Sequence, residues 1–207
     1  MAHMNDLDKL ITLFESFPGV GTRQAKRFAF HILTMNEADV KDLSSLIGAI
    51  KSTVVECDSC HRFYSKHMGT ENLCSICSSQ NREHNRLLVV ERDSDIQAIE
   101  RAGMYSGLYF VLGGTVPLLN ATDKEKLRGG ALKATVETRL NHGLSEIILG
   151  FSINPDGENT ARFVESILTP LLNPEIKLSH LGRGLSTGSE LEYADPETIK
   201  NALRNRY

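Results

Sequence analysis

The chain confines its only four cysteines to two C-x2-C turns, CDSC at 57–60 and CSIC at 74–77, with thirteen residues between the pairs. Each pair stands at the tip of a tight turn where backbone N–H groups can face the sulfurs, and four thiolates so spaced close a tetrahedron around a zinc ion. Cys57, Cys60, Cys74 and Cys77 are therefore the predicted ligands of one structural zinc per chain. No coordination position is left for a substrate. Two disulfides suit a small secreted chain, but 207 residues of which 41% are apolar can bury a core without staples. A redox dithiol and inert buried thiols are the remaining readings. His61 and His67 lie between the ligands and could replace one, although four sulfurs already fill the shell. A bound metal explains how the polar run HRFYSKHMGTEN at 61–72 is ordered with almost no core of its own.

Before the cysteines, residues 5–51 read as helices, with Leu7, Leu10, Ile11 and Phe14 on one face and Val40, Leu43, Ile47 and Ile50 on another. From Arg86 onward, short apolar runs (RLLVVE, GLYFVLGG, EIILGF, IKLSHL) alternate with helical patterns. Runs that are apolar on both faces belong to strands covered by helices on both sides. The expected fold is therefore α/β with an N-terminal all-α part, the sheet mostly parallel and about four strands wide by the usual packing of such runs. No repeat and no low-complexity tract interrupts this order.

PGVG at 18–21 separates two helical patterns, and its glycines permit the positive φ values that an interhelical turn requires. Thr22 can cap the second helix, whose start would present unpaired N–H groups to an anion. Arg23, Lys26 and Arg27 follow in its first turns, and residues 17–33 contain no acid. Backbone donors at Gly19 and Gly21 with these three cations would meet a phosphate, a contact independent of base sequence. An ordinary glycine turn with a solvated basic face is the competing reading. Phe17, Val20, Ala25, Phe28, Ala29 and Ile32 are expected to hold the helices together.

Function in a parallel sheet gathers beyond the carboxyl ends of its strands. LLVVE ends on Glu91, with Asp93 and Asp95 after it, and IILGFSINPDGEN ends near Asp156 and Glu158. If the two strands are neighbours, Glu91, Asp156 and Glu158 converge as a partner-binding edge or a magnesium site. Helix caps explain Asp93, Asp95 and Asp156 equally well. Near the end of the chain, LEYAD reads either as the strand and acid of a nucleotide site or as a lead-in to a helix capped by Asp195. There is no G-x-x-x-x-G-K-[ST] loop, no G-x-S-x-G elbow and no zinc-protease spacing.

The net charge of −3 excludes a uniformly basic nucleic-acid coat but leaves room for one local basic patch. No stretch approaches the roughly 18 consecutive apolar residues of a membrane span, and no secretory signal opens the chain. A cytoplasmic location with no membrane partner is expected. The opening Met-Ala-His-Met reads as a vector-derived leader, which removes His3 from consideration.

The order of these parts, FPGVGTRQAKRFAFHIL, the four cysteines, LLVVERDSDIQAIERAGMYSGLYFVLGG and GSELEYADPETIKNAL, resembles the bacterial recombination mediator family RecR over about residues 5–207. The resemblance implies a helix-hairpin-helix domain at 5–55, a four-cysteine zinc finger at 56–80, a Toprim-like domain at 84–180, and a C-terminal Gly-rich segment with a helix at 181–207. It also implies a non-enzymatic DNA-repair protein that forms a ring-shaped homotetramer around DNA. Its implied partners are RecO and RecF, with which it would load RecA onto gapped, SSB-coated DNA, and its implied address is the cytoplasmic nucleoid. Arg23 and Arg27 match the family's DNA-contacting cations. Glu91 matches the Toprim signature acid, and Asp156 and Glu158 the later acidic pair. Catalytic Toprim enzymes carry Gly after the first acid and Asp-x-Asp at the second site, whereas this chain has Arg92 and Asp156-Gly157-Glu158. A cation beside the metal position weakens its pull on Mg²⁺. The alternative is a Mg-dependent Toprim nuclease or primase-like enzyme acting on DNA. An RNA-binding zinc protein is less favoured, because aromatics are 6% of the chain, Trp is absent and no stacking platform is evident.

Overall fold

The computed structural model describes residues 5–66, 72–118, 126–185, 188 and 190–206, so His3 and His67 lie outside the described residues. The chain divides into two compact units, Met1–Val54 and Val55–Tyr207. In the first, α1 (Asp6–Glu15), α2 (Thr22–Thr34) and α3 (Glu37–Thr53) follow one another through short turns. Asn5 and Asn36 cap α1 and α3 by accepting from Asp8 N at 2.8 Å and Asp39 N at 2.9 Å. Small residues let α1 and α2 approach closely. Ala25 and Ala29 are completely buried, and the Phe14 ring meets Phe17 at 5.9 Å and Phe28 at 5.8 Å, both edge-on. The second apolar face expected from sequence is an open stripe on α3, where Leu43, Leu46, Ile47 and Ile50 are all exposed.

The second unit begins with a two-stranded sheet of β1 (Val54–Glu56) and β2 (Phe63–Ser65) around the first cysteine pair. After the second pair come β3 (Glu83–Val90), α4 (Asp93–Ala102), β4 (Gly107–Val111), α5 (Gly129–Leu140), β5 (Glu146–Gly150), α6 (Pro155–Leu168), β6 (Lys177–His180) and α7 (Pro196–Arg204). The four long-run strands pair in parallel in the order β4-β3-β5-β6. All five residues of β4 are buried, as are Leu87–Val90 of β3, so both faces of the sheet centre are covered. Val90 is in register with Val111 and with Gly150, which brings the carboxyl ends of β3, β4 and β5 level. The acidic segments at 91 and 156 thus leave the sheet from neighbouring strands.

β4 is an edge strand, and its outward polar groups are covered by side chains and by the cysteine turn. Val111 N donates to Cys60 O at 2.8 Å, while the Val111 carbonyl accepts from Arg128 Nη1 at 3.3 Å. Gly107 O accepts from Arg82 Nη1 at 3.4 Å. Arg82 also pairs with Glu100, which accepts a further hydrogen bond from the Tyr109 hydroxyl at 2.6 Å.

LEYAD does not form a strand. Leu191–Tyr193 is a single 3₁₀ turn, and Asp195 caps α7 by accepting from Thr198 N at 2.9 Å and from Thr198 Oγ1 at 2.6 Å. Pro196 fixes the first helical position after an acid that bonds locally, so the backbone turns into a helix there.

Candidate metal centre and nucleic-acid interface

The two C-x2-C turns bring Cys57, Cys60, Cys74 and Cys77 together with all four sulfurs within 4.8 Å of one another. Cys60 Sγ and Cys74 Sγ stand 3.6 Å apart, close to the ~3.8 Å edge of a tetrahedron with metal–sulfur bonds of ~2.3 Å. A disulfide needs ~2.05 Å, and all four cysteines are free. Cys57, Cys60 and Cys74 are buried, Cys77 partly so, and Cys74 N donates to Cys57 Sγ at 3.3 Å. Hydrogen bonds among the crowded thiols hold Cys57 far below the usual thiol range and push Cys60 above it. A divalent cation held by the four sulfurs would relieve this competition for thiolate charge. The four cysteines can hold a metal ion. Among the described residues they are the one group of three or more Cys, His, Asp or Glu side chains gathered closely enough to do so.

His61 is no ligand. It holds a φ of 60°, directs Nδ1 to Glu56 Oε1 at 2.6 Å and lies edge-on to Phe110 at 5.1 Å. Glu56 also accepts from Arg128 Nη2 at 3.1 Å; although burial opposes it, the bonds from His61 and Arg128 keep this carboxyl ionised below the ordinary range. Two further contacts fasten the cysteine module to the α/β body: Phe63 N donates to Asp93 Oδ1 at 2.7 Å and Arg139 Nη2 to Ser59 Oγ at 3.0 Å. Asp93, a candidate cap in the sequence, therefore reaches across to β2 instead. Asp95 does cap, accepting from Arg92 N at 2.8 Å.

At the level strand ends, each predicted acid is engaged by a different part of the chain. Glu91, 7% exposed, accepts from Ser152 N at 2.7 Å and so pins the loop after β5 to the end of β3. Asp156 Oδ1 accepts from Leu118 N at 2.9 Å; the cap of α6 is Asn154, which accepts from Gly157 N at 2.8 Å. Glu158 pairs with Arg183 at 3.2 Å and with Arg162 at 4.0 Å. Thr160 escaped the sequence reading. Completely buried, it accepts from Val116 N at 2.8 Å and donates to Asp156 O at 2.6 Å. Its short polar side chain inside an apolar helix face is signalled only by the loop it holds.

In the helical unit, Gly19 takes the left-handed φ of 76°, but Gly21 does not: it is the N-cap of α2 with φ −87° and ψ 169°. Thr22 is the first helical residue rather than the cap, and among the described residues no side chain caps the first amides of α2. A Cβ at Gly21 would meet nothing within 4 Å, and this helix start is accordingly open. Arg23, Lys26 and Arg27 are exposed and form no ion pair among the described residues; Arg27 reaches only Gln24, at 3.5 Å. An open groove of ≈ 770 Å³ runs along them, lined also by Phe30, His31 and Thr34. Backbone donors and long cations with no acid between them can engage a phosphodiester.

Family models match along this architecture: a RecR helix-hairpin-helix over residues 7–51, a Toprim domain over 85–182 and a RecR C-terminal region over 184–207. The recombination protein RecR of Lactobacillus helveticus is 36% identical over 199 residues, covering 95% of this chain and 94% of that protein. The chain belongs to the RecR family. RecR of Ruegeria sp. is 35% identical over 202 residues, with 98% of this chain and 96% of the relative aligned. RecR of Streptococcus thermophilus is 32% identical over 206 residues, spanning 100% of this chain and 98% of that protein. Membership accounts for the hairpin, the parallel sheet and the C-terminal helix together, and it assigns the chain to DNA recombination and repair.

Proposed function

We propose that this RecR family member is a DNA-binding mediator of recombinational repair with no chemical step of its own. The start of α2, uncapped by any side chain and followed by three cations without an ion pair among the described residues, is the observation that carries the reading. Gly19, Gly21, Arg23, Lys26 and Arg27 hold phosphates, and the contact is independent of base sequence. One hairpin releases only a few counterions and grips weakly, but several copies around a ring-shaped tetramer raise the effective concentration into a useful hold. The open apolar stripe on α3 supports self-association. Zinc is the proposed metal, in a purely structural role. In the cytoplasm, at the nucleoid, the clamp works with RecO and RecF to load RecA onto gapped, SSB-coated DNA.

The engagement of Glu91, Asp156 and Glu158 by backbone amides and arginines favours a scaffold over a Mg²⁺-dependent cleavage centre. Salt-titrated anisotropy with labelled oligonucleotides tests the grip: Arg23→Ala with Arg27→Ala should abolish retention and leave the melting temperature unchanged. Retained binding would remove the hairpin from the mechanism. Incubation with nicked and single-stranded DNA plus Mg²⁺ or Mn²⁺ should leave the DNA intact, and metal-dependent cleavage lost on Glu91→Gln would establish the nuclease instead.

A further inference from the structure

Phe30 lies on the wrong face of α2 for a core residue. At about 100° per residue it projects about 20° from Arg23, about 40° from Lys26 and about 60° from Arg27, but about 100° from Ala29 and about 140° from Ala25. Ala25 and Ala29 are fully buried against α1, whereas Phe30 is 54% exposed. Phe28, two residues earlier, is also partly exposed but packs edge-on against Phe14, while Phe30 has no ring partner among the described residues. A large aromatic in the middle of a cationic stripe, with no acid from 17 to 33, presents a flat apolar surface beside groups suited to phosphates. The low aromatic content of the chain hides this, because one ring is enough when it is placed among the cations.

Granted a DNA-gripping hairpin, we infer that Phe30 stacks on an unpaired base and gives this hairpin its preference for single-stranded DNA over duplex. A duplex offers phosphates to Arg23, Lys26 and Arg27 but keeps its base faces stacked. A single strand offers both, and an aromatic face accepts any base.

The test measures binding of the full chain to oligo-dT and to a blunt duplex of equal length at several salt concentrations, with light scattering run in parallel. Phe30→Ala should weaken oligo-dT binding roughly 5- to 150-fold, the range expected for loss of one stacked base. Duplex binding should change less than about twofold, and the salt slope should hold for both, since no phosphate contact is lost. Phe30→Trp should restore or exceed the original preference. Arg23→Ala should instead weaken both forms and flatten the slope by about one. Equal loss on both forms, or no loss on oligo-dT, overturns the role of Phe30 while the hairpin grip stands. A change of oligomeric state in Phe30→Ala also overturns it, by assigning this face to a second copy of the chain. Should Arg23→Ala leave both forms bound as before, the grip itself fails, whatever Phe30 does.

Discussion

Gly157 sits in the first turn of α6, where helix propensity alone predicts that alanine would stabilise the protein by about 1 kcal/mol. The structure predicts the opposite. A Cβ at this position would stand 2.0 Å from the Ser152 carbonyl oxygen, 2.8 Å from its carbon and 3.1 Å from its Cα. All three are backbone atoms, so no side chain can swing aside. The Ser152 carbonyl and Cα must retreat, and the N–H on the other side of that Cα is the donor that Glu91 accepts at 2.7 Å. Overpacking of this kind costs about 1–3 kcal/mol, and a buried carboxylate stripped of its donor about another 1–3 kcal/mol. Less the propensity gain, Gly157→Ala should lose about 1–5 kcal/mol. For a unit of roughly 150 residues, at about 2–4 °C per kcal/mol, this lowers the melting temperature by about 2–20 °C. Circular dichroism melts and urea titrations, with metal content measured to show that the cysteine module is unaffected, are the assay. A variant as stable as the parent would mean that the Ser152 loop yields freely, and the Glu91 anchor would lose its structural importance.

Replacing Cys60 with Ser should eliminate bound metal by elemental analysis and accelerate hydrogen exchange at the Val111 amide, which bonds to the Cys60 carbonyl; unchanged protection there would separate the cysteine turn from the sheet. Although burial opposes ionisation, Arg82 and Tyr109 hold the Glu100 carboxyl below its ordinary value of 4.5, so its contribution to stability is complete above that pH and disappears as pH falls below it. Glu100→Gln should therefore be less stable than the parent at neutral pH, with the gap closing in acid, and parallel stability curves would contradict the ion pair. Asp195→Ala should cost about 1 kcal/mol through loss of the α7 cap and should appear as fraying of α7 by hydrogen exchange, with no effect on the sheet.

Three of the four strands were legible because LLVV, LYFV and IIL are apolar on both faces, as in a covered parallel sheet, whereas β6 (Lys177–His180) is polar at both ends and only partly buried. The gathering of the four cysteines was legible from spacing, because a C-x2-C turn imposes its own geometry. Other features depend on contacts between residues far apart in the chain. Nothing beside Glu91 in the sequence reveals that Ser152 N will be its donor, and Asp93 looks like a cap until β2 arrives to claim it. Thr22 failed as a cap because the turn after Gly19 brings Gly21 to the extended position before the helix. The open stripe on α3 has the period of a packed helix, and periodicity does not say what covers it.

The bond from Val111 N to Cys60 O sets a condition on the life of the chain before and after folding. An outer strand with free N–H and C=O groups is a template for pairing with a neighbouring molecule. Here the plug at one end of that template is itself part of the four-cysteine cluster. Chelation or sulfur oxidation should thus leave a polypeptide prone to sheet-to-sheet precipitation, and solubility on expression should track the supply of metal.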